Sequence, residues 1–289
     1  MKPLIYAHRG ASARYAEHTR AAYLQALADG ADGVECDVQL SADRTPVLLH
    51  DSTLDRTSNG TGPVAEQTLA RLRDLDFSSW KGADFPDEYG GLSQQFLTLA
   101  ELLDLLAGAG RGVGLAIELK HPSPFGRELE EKTLQVLAAR GWDPRSGRLG
   151  NVAITFMSFH PESLEYLARQ VPAGLLCQLV DDVDPGQVGR ELGLDGPAAI
   201  AAVAVAALVE RVLDRGERIL DDGAVGLAGP GVGYLRARPD RVAAWLSAGL
   251  RLRVWTVDDP ADVALCAGLG IQEITSNDPA AVRRTLDAL

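Results

Sequence analysis

Seven ionisable side chains stand in or just beyond four short apolar runs. His8 and Arg9 follow Leu4-Ile5-Tyr6-Ala7, and Glu35 and Asp37 lie within Gly33-Val34-Glu35-Cys36-Asp37-Val38. His50 follows Val47-Leu48-Leu49, and Glu118 and Lys120 follow Val113-Gly114-Leu115-Ala116-Ile117. Strand-like runs seldom carry charge, and charges repeated at the same end of several strands converge in space. Three carboxylates, two imidazoles, a guanidinium and an ammonium suit a divalent metal and an anionic phosphorus centre. Oxygen ligands without sulfur, and without a His-x-x-x-His pair, favour Mg2+ or Ca2+ over zinc. Such an ion bridges phosphate oxygens and lowers the pKa of an attacking hydroxyl or water. Arg9 can pair bidentately with a phosphate, and Lys120 adds a point charge. His8 and His50 are candidates for base and acid, because an unperturbed imidazole titrates near neutrality. A lone Glu at a strand end is commonly a solvated rim charge, and a lone His beside a strand a packed imidazole. Polar groups repeated at successive strand ends favour a site.

The elements that must position these groups alternate along the chain. Apolar runs predict strands at 4–8, 33–38, 113–119, 152–156, 174–179, 224–228, 251–257 and 272–275. Helical patterns fall at 19–29, 98–107, 127–140, 161–170, 198–215, 239–248, 260–268 and 279–287. Pro161, Pro239, Pro260 and Pro279 mark first helical turns. Eight strands alternating with eight helices predict an α/β fold, a (β/α)8 TIM barrel, over 1–289 as a single domain. An open doubly wound sheet is disfavoured, because His-Arg-Gly rather than Gly-x-Gly-x-x-Gly follows the first strand. In a barrel the catalytic groups lie at the C-terminal strand ends. Glu35 and Asp37, two apart, share one strand face, while Val34, Cys36 and Val38 face the helices. Residues 39–50 read as a hairpin extending the second strand, with Pro46 at the return. Residues 51–96 are too long for an ordinary connection and read as a small cap over the barrel mouth. Within it Phe77, Trp80, Phe85 and Tyr89 form a satellite core or a substrate-facing wall.

Composition narrows the class. The chain has 289 residues, 46% hydrophobic and 24% charged, with a net charge of −12. It is long enough to bury a full core without staples. The acidic balance argues against nucleic acid and anionic membranes as partners. Cys36, Cys177 and Cys266 are dispersed in apolar surroundings and read as buried reduced thiols. No run reaches the roughly 20 apolar residues of a membrane span, and 198–209 reads as a buried helix. The first residues lack a long apolar signal-peptide core, so a cytoplasmic protein is expected, monomeric or a small homo-oligomer.

Several of these segments together resemble the glycerophosphodiester phosphodiesterase family. They are Ala7-His8-Arg9-Gly10, the stretch Gly30 to Val38, Pro46 to Asp51, Leu54 to Gly62, Ile117-Glu118-Leu119-Lys120, Ser158-Phe159 and Val254-Trp255-Thr256-Val257. All occur in order, over nearly the whole chain. The resemblance implies a phosphodiesterase barrel with a small inserted cap and a divalent metal on Glu35, Asp37 and Glu118. It implies His8 and His50 as the acid–base pair, Arg9 and Lys120 on the phosphate, and Phe159 and Trp255 at the glycerol end. The implied reaction is hydrolysis of a small-molecule glycerophosphodiester to sn-glycerol 3-phosphate and an alcohol, in glycerol and lipid metabolism. In the mechanism usually proposed for that family, the neighbouring glycerol hydroxyl attacks first and water opens the cyclic phosphate. The chain departs from the pattern at His18, where Asn is usual, at Arg44, where an Asp-Gly turn is usual, and at Thr275-Ser276-Asn277-Asp278, where Thr-Asp is usual. His18 either hydrogen-bonds backbone at the helix start or replaces the amide as a neutral donor to a carboxylate or to the substrate. Two other functions fit parts of the pattern: a sphingomyelinase D-like phospholipid headgroup phosphodiesterase, and a non-catalytic glycerophosphoryl-binding protein. Neither a signal peptide with paired cysteines, nor a lost histidine or carboxylate, is present to favour them.

Overall fold

The computed structural model describes residues 2–182 and 199–289. Eight parallel strands close into a barrel in chain order: β1 (Leu4–Ala7), β2 (Gly33–Leu40), β4 (Val113–Leu119), β6 (Val152–Ser158), β7 (Leu176–Val180), β8 (Leu227–Pro230), β9 (Arg251–Val254) and β10 (Glu273–Ser276). β10 pairs back onto β1, and β1 also pairs with β2. Two short strands lie outside the ring. β3 (Pro46–Leu48) returns antiparallel on the end of β2, and β5 (Arg148–Leu149) pairs antiparallel with the start of β6. The helices are α1 (Arg20–Ala28), α2 (Leu69–Arg73), α3 (Leu99–Ala107), α4 (Glu128–Ala138), α5 (Pro161–Leu167), α6 (Ala199–Asp221), α7 (Val232–Ala237), α8 (Pro239–Ser247), α9 (Pro260–Gly268) and α10 (Pro279–Ala288).

Period-two alternation divides each strand between two apolar layers. Val34, Cys36 and Val38 pack outwards with helix residues such as Leu102, Leu106 and Leu129. Tyr6, Ala116, Met157, Cys177, Leu179 and Leu227 pack inside the ring. Tyr6 lies so close to β2 and β4 that a Cβ at Gly33 would fall 2.4 Å from its ring, and one at Gly114 2.3 Å from its hydroxyl. Glycine at both positions is a steric requirement of the floor. Arg253, almost fully buried, stacks its guanidinium 4.2 Å from the Tyr6 ring centroid. It donates to Glu273 at 2.6 Å and to Thr155 at 3.1 Å. This charged pair forms a polar layer inside the barrel that the hydrophobic pattern does not announce.

Helix starts follow the sequence signals. Pro stands in the first turn of α5, α8, α9 and α10, and Thr98 with Glu101 forms a capping box at α3. Between β8 and β9 the chain makes two helices where one was expected. They meet at Arg238-Pro239, where proline can open a helix but cannot continue the preceding one. Ala198, the first residue of the helix expected at 198–215, lies outside the described residues, and α6 continues to Asp221. The expectation of a buried helix fails at Leu208 and Val209, which are exposed. In the turn joining β2 to β3, Arg44 takes the left-handed φ of +61° where glycine would be easiest. Its guanidinium lies 3.6 Å from the Phe125 ring centroid and pairs with Glu128 at 3.0 Å, which offsets that strain.

Residues 51–96 carry α2 and short 3-10 turns around a second apolar cluster that includes Val47, Leu54, Leu72, Phe77 and Phe96. Phe85 and Tyr89 instead meet Tyr15 edge to face, and Trp80 is exposed. Buried Gln95 ties the segment to α1: its Oε1 accepts from the Ala21 N–H at 2.9 Å, and its amide donates to the Tyr89 carbonyl. Among the described residues no helix is long and apolar enough to cross a membrane.

Breaking the pair on the barrel floor leaves Glu273 buried without its main partner. Arg253→Met is expected to lower unfolding stability by about 3–5 kcal/mol, measured by urea titration. Arg253→Met combined with Glu273→Met is expected to recover much of that loss. A double variant no more stable than the single one would show that the layer is held by packing and not by charge.

Candidate active site

Strand register brings the acids together. Asp37 stands opposite Glu118 in the β2–β4 ladder, and Glu35 lies one pleat below Asp37 on the same face. Each of the three offers an oxygen within 4.8 Å of the others, and all three are buried. Burial, reinforced by the neighbouring acids, pushes the carboxyl of Glu35 well above its ordinary value. Burial also raises Glu118, against the pull of Lys120. Burial would raise Asp37 too, but Lys120, His18 and Arg9 together hold it well below the usual carboxylate range. Lys120 Nζ lies 2.9 Å from Glu118 and 3.5 Å from Asp37, and these carboxylates keep it protonated despite burial.

Arg9 opens the turn after β1 with φ +56°. That conformation aims its backbone N–H at Glu35 Oε2, 2.9 Å away, while the guanidinium forms an ion pair with Asp37, Nε lying 3.1 Å from Oδ2. Its Nη1 donates to Glu17 at 3.0 Å. His18, also left-handed at φ +61°, joins both readings offered for it. Its backbone N–H donates to the Arg9 carbonyl, and its imidazole spans Asp37 Oδ2 at 2.9 Å and the Tyr23 hydroxyl at 2.8 Å. Burial lowers its pKa and keeps the ring neutral, so Nε2–H is the donor to the carboxylate.

The two candidate proton-transfer residues sit in different surroundings. His8 follows β1 directly, and its Nδ1 meets Asn277 Oδ1 at 2.8 Å. Burial, with the Arg9 charge, depresses its pKa to about 4. His50 lies on the loop after β3, partly exposed, with Nδ1 2.7 Å from Asp51 Oδ1. Gln39 of β2 holds this loop through its side-chain amide, which donates to the carbonyls of Leu49 and His50 at 3.1 Å each. Arg56 donates to Asp51 at 2.7 Å and to both oxygens of Glu17, which in turn pairs with Arg9. An unbroken chain of side-chain contacts therefore runs from His50 through Asp51, Arg56 and Glu17 to Arg9.

His8, Arg9, His50, Glu118, Lys120, Phe159 and Trp255 line a cavity of about 110 Å3 together with Met157, Leu179 and Thr275. The Phe159 and Trp255 rings meet edge to face at 5.5 Å, and the Trp255 indole donates to the Gly229 carbonyl at 2.8 Å. A wider cleft of about 870 Å3 adjoins it, sharing Arg9, His50 and Lys120 and adding Gln39, Asp51, Arg56 and His121. All nine side chains singled out from sequence thus stand at one mouth. Glu17, Asp51, Arg56, Gln39 and Asn277 were not singled out. Asp51 adjoins His50, Asn277 directly follows the last strand, and Arg56 stands within the Leu54 to Gly62 run; Glu17 carries no local signal.

The acidic triad fits a hard divalent cation. Glu35 Oε1 and Asp37 Oδ1 are buried and have no hydrogen-bond partner among the described residues, and three clustered carboxylates meet only partial neutralisation from Arg9 and Lys120.

The model of the glycerophosphoryl diester phosphodiesterase family matches residues 8–281. A Mycobacterium tuberculosis protein named "Probable glycerophosphodiester phosphodiesterase 1" is 33% identical over 285 residues, covering 99% of this chain and 93% of its own. The glycerophosphodiester phosphodiesterase of Bacillus subtilis is 31% identical over 280 residues, covering 96% of this chain and 84% of its own. The structure of an Oleispira antarctica phosphodiesterase, in complex with the product sn-glycerol-3-phosphate, superposes with a TM-score of 0.72 at 22% identity, over 99% of this chain and 97% of its own.

Glu17 generates a pH prediction. Burial would raise its carboxyl, but hydrogen bonds from Arg56 and the Arg9 charge bring it down to about 2 from an ordinary 4.5. A depressed folded-state pKa stabilises the fold above the unfolded value, and that stabilisation is lost as pH falls through the folded one. The contribution, on the order of 3 kcal/mol, is therefore complete above about pH 4.5. The stability gap between wild type and Glu17→Gln is expected to narrow steadily in urea titrations from pH 5 to 3. A gap independent of pH would remove Glu17 from the ion-pair chain.

Proposed function

The chain belongs to the glycerophosphoryl diester phosphodiesterase family, and we propose that it hydrolyses a glycerophosphodiester to sn-glycerol 3-phosphate and an alcohol, with Mg2+ or Ca2+ held by Glu35, Asp37 and Glu118. The observation that carries this reading is the buried acidic triad, with unpartnered oxygens, beside two histidines at the wall of one cavity. The cation, when bound, supplies positive charge to the phosphoryl oxygens and acidifies a neighbouring hydroxyl. Arg9 and Lys120 bind the remaining phosphoryl charge. The Phe159 and Trp255 rings flank the glycerol carbons and exclude water from that side.

The two imidazoles divide the proton transfers according to their surroundings. His8, neutral through burial, takes the proton of the attacking glycerol hydroxyl. His50, whose Nδ1 faces the Asp51 carboxylate, gives a proton to the departing alkoxide. Water then opens the cyclic phosphate with the two roles exchanged. Residues 51–96 act as a cap, and the alcohol lies in the wide cleft to which that segment contributes Asp51, Ser52, Thr53 and Arg56. Three buried free thiols accord with a reducing compartment, and the cytoplasm is the proposed location.

The test is a panel of glycerophosphodiesters assayed with each cation and coupled to detection of glycerol 3-phosphate. Stripping the cation is expected to abolish release, and Mg2+ or Ca2+ to restore it. Absence of glycerol 3-phosphate from every diester would overturn the proposal, and undiminished turnover after stripping would overturn the role of the triad.

His8→Ala and His50→Ala are each expected to lower turnover by roughly 10²–10⁴. The double variant should lose far less than the product of the two, because groups acting as a unit are not additive. Near-native turnover in either single variant would withdraw its acid–base role.

A further inference from the structure

The last barrel strand carries a device that acts on His8. The backbone N–H of His8 donates to the Ser276 carbonyl at 2.8 Å, so the residues that follow β1 and β10 leave the barrel side by side. The Asn277 side chain therefore meets the His8 ring, with Oδ1 2.8 Å from Nδ1. Its other end is anchored. Asn277 Nδ2 donates to Asp258 Oδ2 at 2.6 Å, while Asp258 Oδ1 receives the Asn277 backbone N–H at 2.8 Å and the Ser276 hydroxyl at 2.7 Å. The Ser12 hydroxyl lies 2.8 Å from both Asn277 Oδ1 and the His8 carbonyl.

These contacts admit one hydrogen-bond pattern. An ionised carboxylate only accepts, so the amide nitrogen of Asn277 must face Asp258 and its oxygen must face His8. An amide oxygen also only accepts, so the proton of the neutral imidazole must sit on Nδ1. Nε2 then carries the lone pair, makes no hydrogen bond among the described residues, and is the nitrogen left for proton transfer.

We propose that Asn277 is a positioning residue for the reaction, and that its amide, oriented by Asp258, fixes His8 as the Nδ1–H tautomer with Nε2 as the working nitrogen. The proposal rests on the acid–base reading of His8. Its chemistry differs from that of a carboxylate–histidine pair: an amide orients the ring without adding the negative charge that would favour imidazolium. Burial acts in the same direction, holding His8 neutral down to about pH 4. Asp258 is exposed and Asn277 lies at a strand end, so both can be changed without opening the core.

Asp258→Asn isolates the effect. Its amide oxygen would keep accepting from the Asn277 backbone and the Ser276 hydroxyl, and its nitrogen would then face the Asn277 side chain. Asn277 must turn its own oxygen towards that donor and present its nitrogen to His8, which forces the proton onto Nε2. Long-range 1H–15N correlation spectra of the full chain in Mg2+ buffer, with His8 assigned by loss of its signals in His8→Ala, read the tautomer directly. The wild type is expected to show Nδ1–H at His8 and Asp258→Asn to show Nε2–H. Turnover with a glycerophosphodiester should fall roughly 10- to 100-fold in Asp258→Asn and in Asn277→Leu, with KM nearly unchanged. An Nε2–H tautomer in the wild type, or Nδ1–H with full turnover in Asp258→Asn, would overturn the proposal. A switched tautomer with full turnover would overturn the positioning role. If His8→Ala itself keeps full turnover, the acid–base reading of His8 fails, while the spectra still decide the tautomer.

Discussion

Three buried carboxylates share one small volume at the barrel mouth, and the surrounding structure answers that crowding. The ladder between β2 and β4 places Asp37 against Glu118, and the pleat places Glu35 on the same face. Like charges brought out of water together are costly unless other groups compensate. Lys120 approaches two of the acids, the Arg9 guanidinium approaches Asp37, and the Arg9 backbone N–H serves Glu35. His18 contributes a neutral donor from within the core. Arg9 and His18 both adopt left-handed backbone to do so, a conformation that costs a side-chain-bearing residue on the order of 1–3 kcal/mol. Strain at two positions facing the same acids is the mark of a site held in place by its surroundings. Compensation stops short of completion, and the acid oxygens left without partners among the described residues suit the cluster to a cation.

The two histidines owe their difference to their neighbours. His8 stands part-buried where the barrel closes and leans on an amide, whereas His50 stands on a partly exposed loop against a carboxylate. Asp51, Arg56 and Glu17 carry the connection from His50 back to Arg9. Arg56 belongs to the long segment after β3, so that segment and the barrel share one electrostatic network. Beneath the site, the floor is equally constrained: Tyr6 presses on two glycines, and the buried Arg253–Glu273 pair fills the layer beside it. A floor packed this closely gives the strand ends fixed positions from which to present the clustered acids and His8.

Much of this architecture was legible in the sequence, because its governing signals are local. Apolar runs of strand length, prolines at first helical turns and the spacing of two between Glu35 and Asp37 depend only on residues near each other in the chain. They predicted the eight barrel strands to within a few residues, and the acids and histidines at their ends. The fit was poorest where tertiary surroundings override the local pattern. Leu208 and Val209 read as buried but are exposed, and a short helix at Val232–Ala237, absent from the sequence reading, precedes the helix expected from Pro239.

By itself the sequence determined the barrel, the family and the inventory of chemical groups, since periodicity and motif order are properties of the chain. Only the tertiary structure decided which neighbour each group has. Glu17 and Arg56 meet across 39 residues, and His8 and Asn277 across 269. No pattern along the chain encodes either pairing: the first arises where the segment after β3 folds over the loop after β1, the second when the sheet closes and β10 returns to β1. The protonation state and orientation of His8 follow from that closure, since a side chain's pKa and tautomer are set by burial and partners in space.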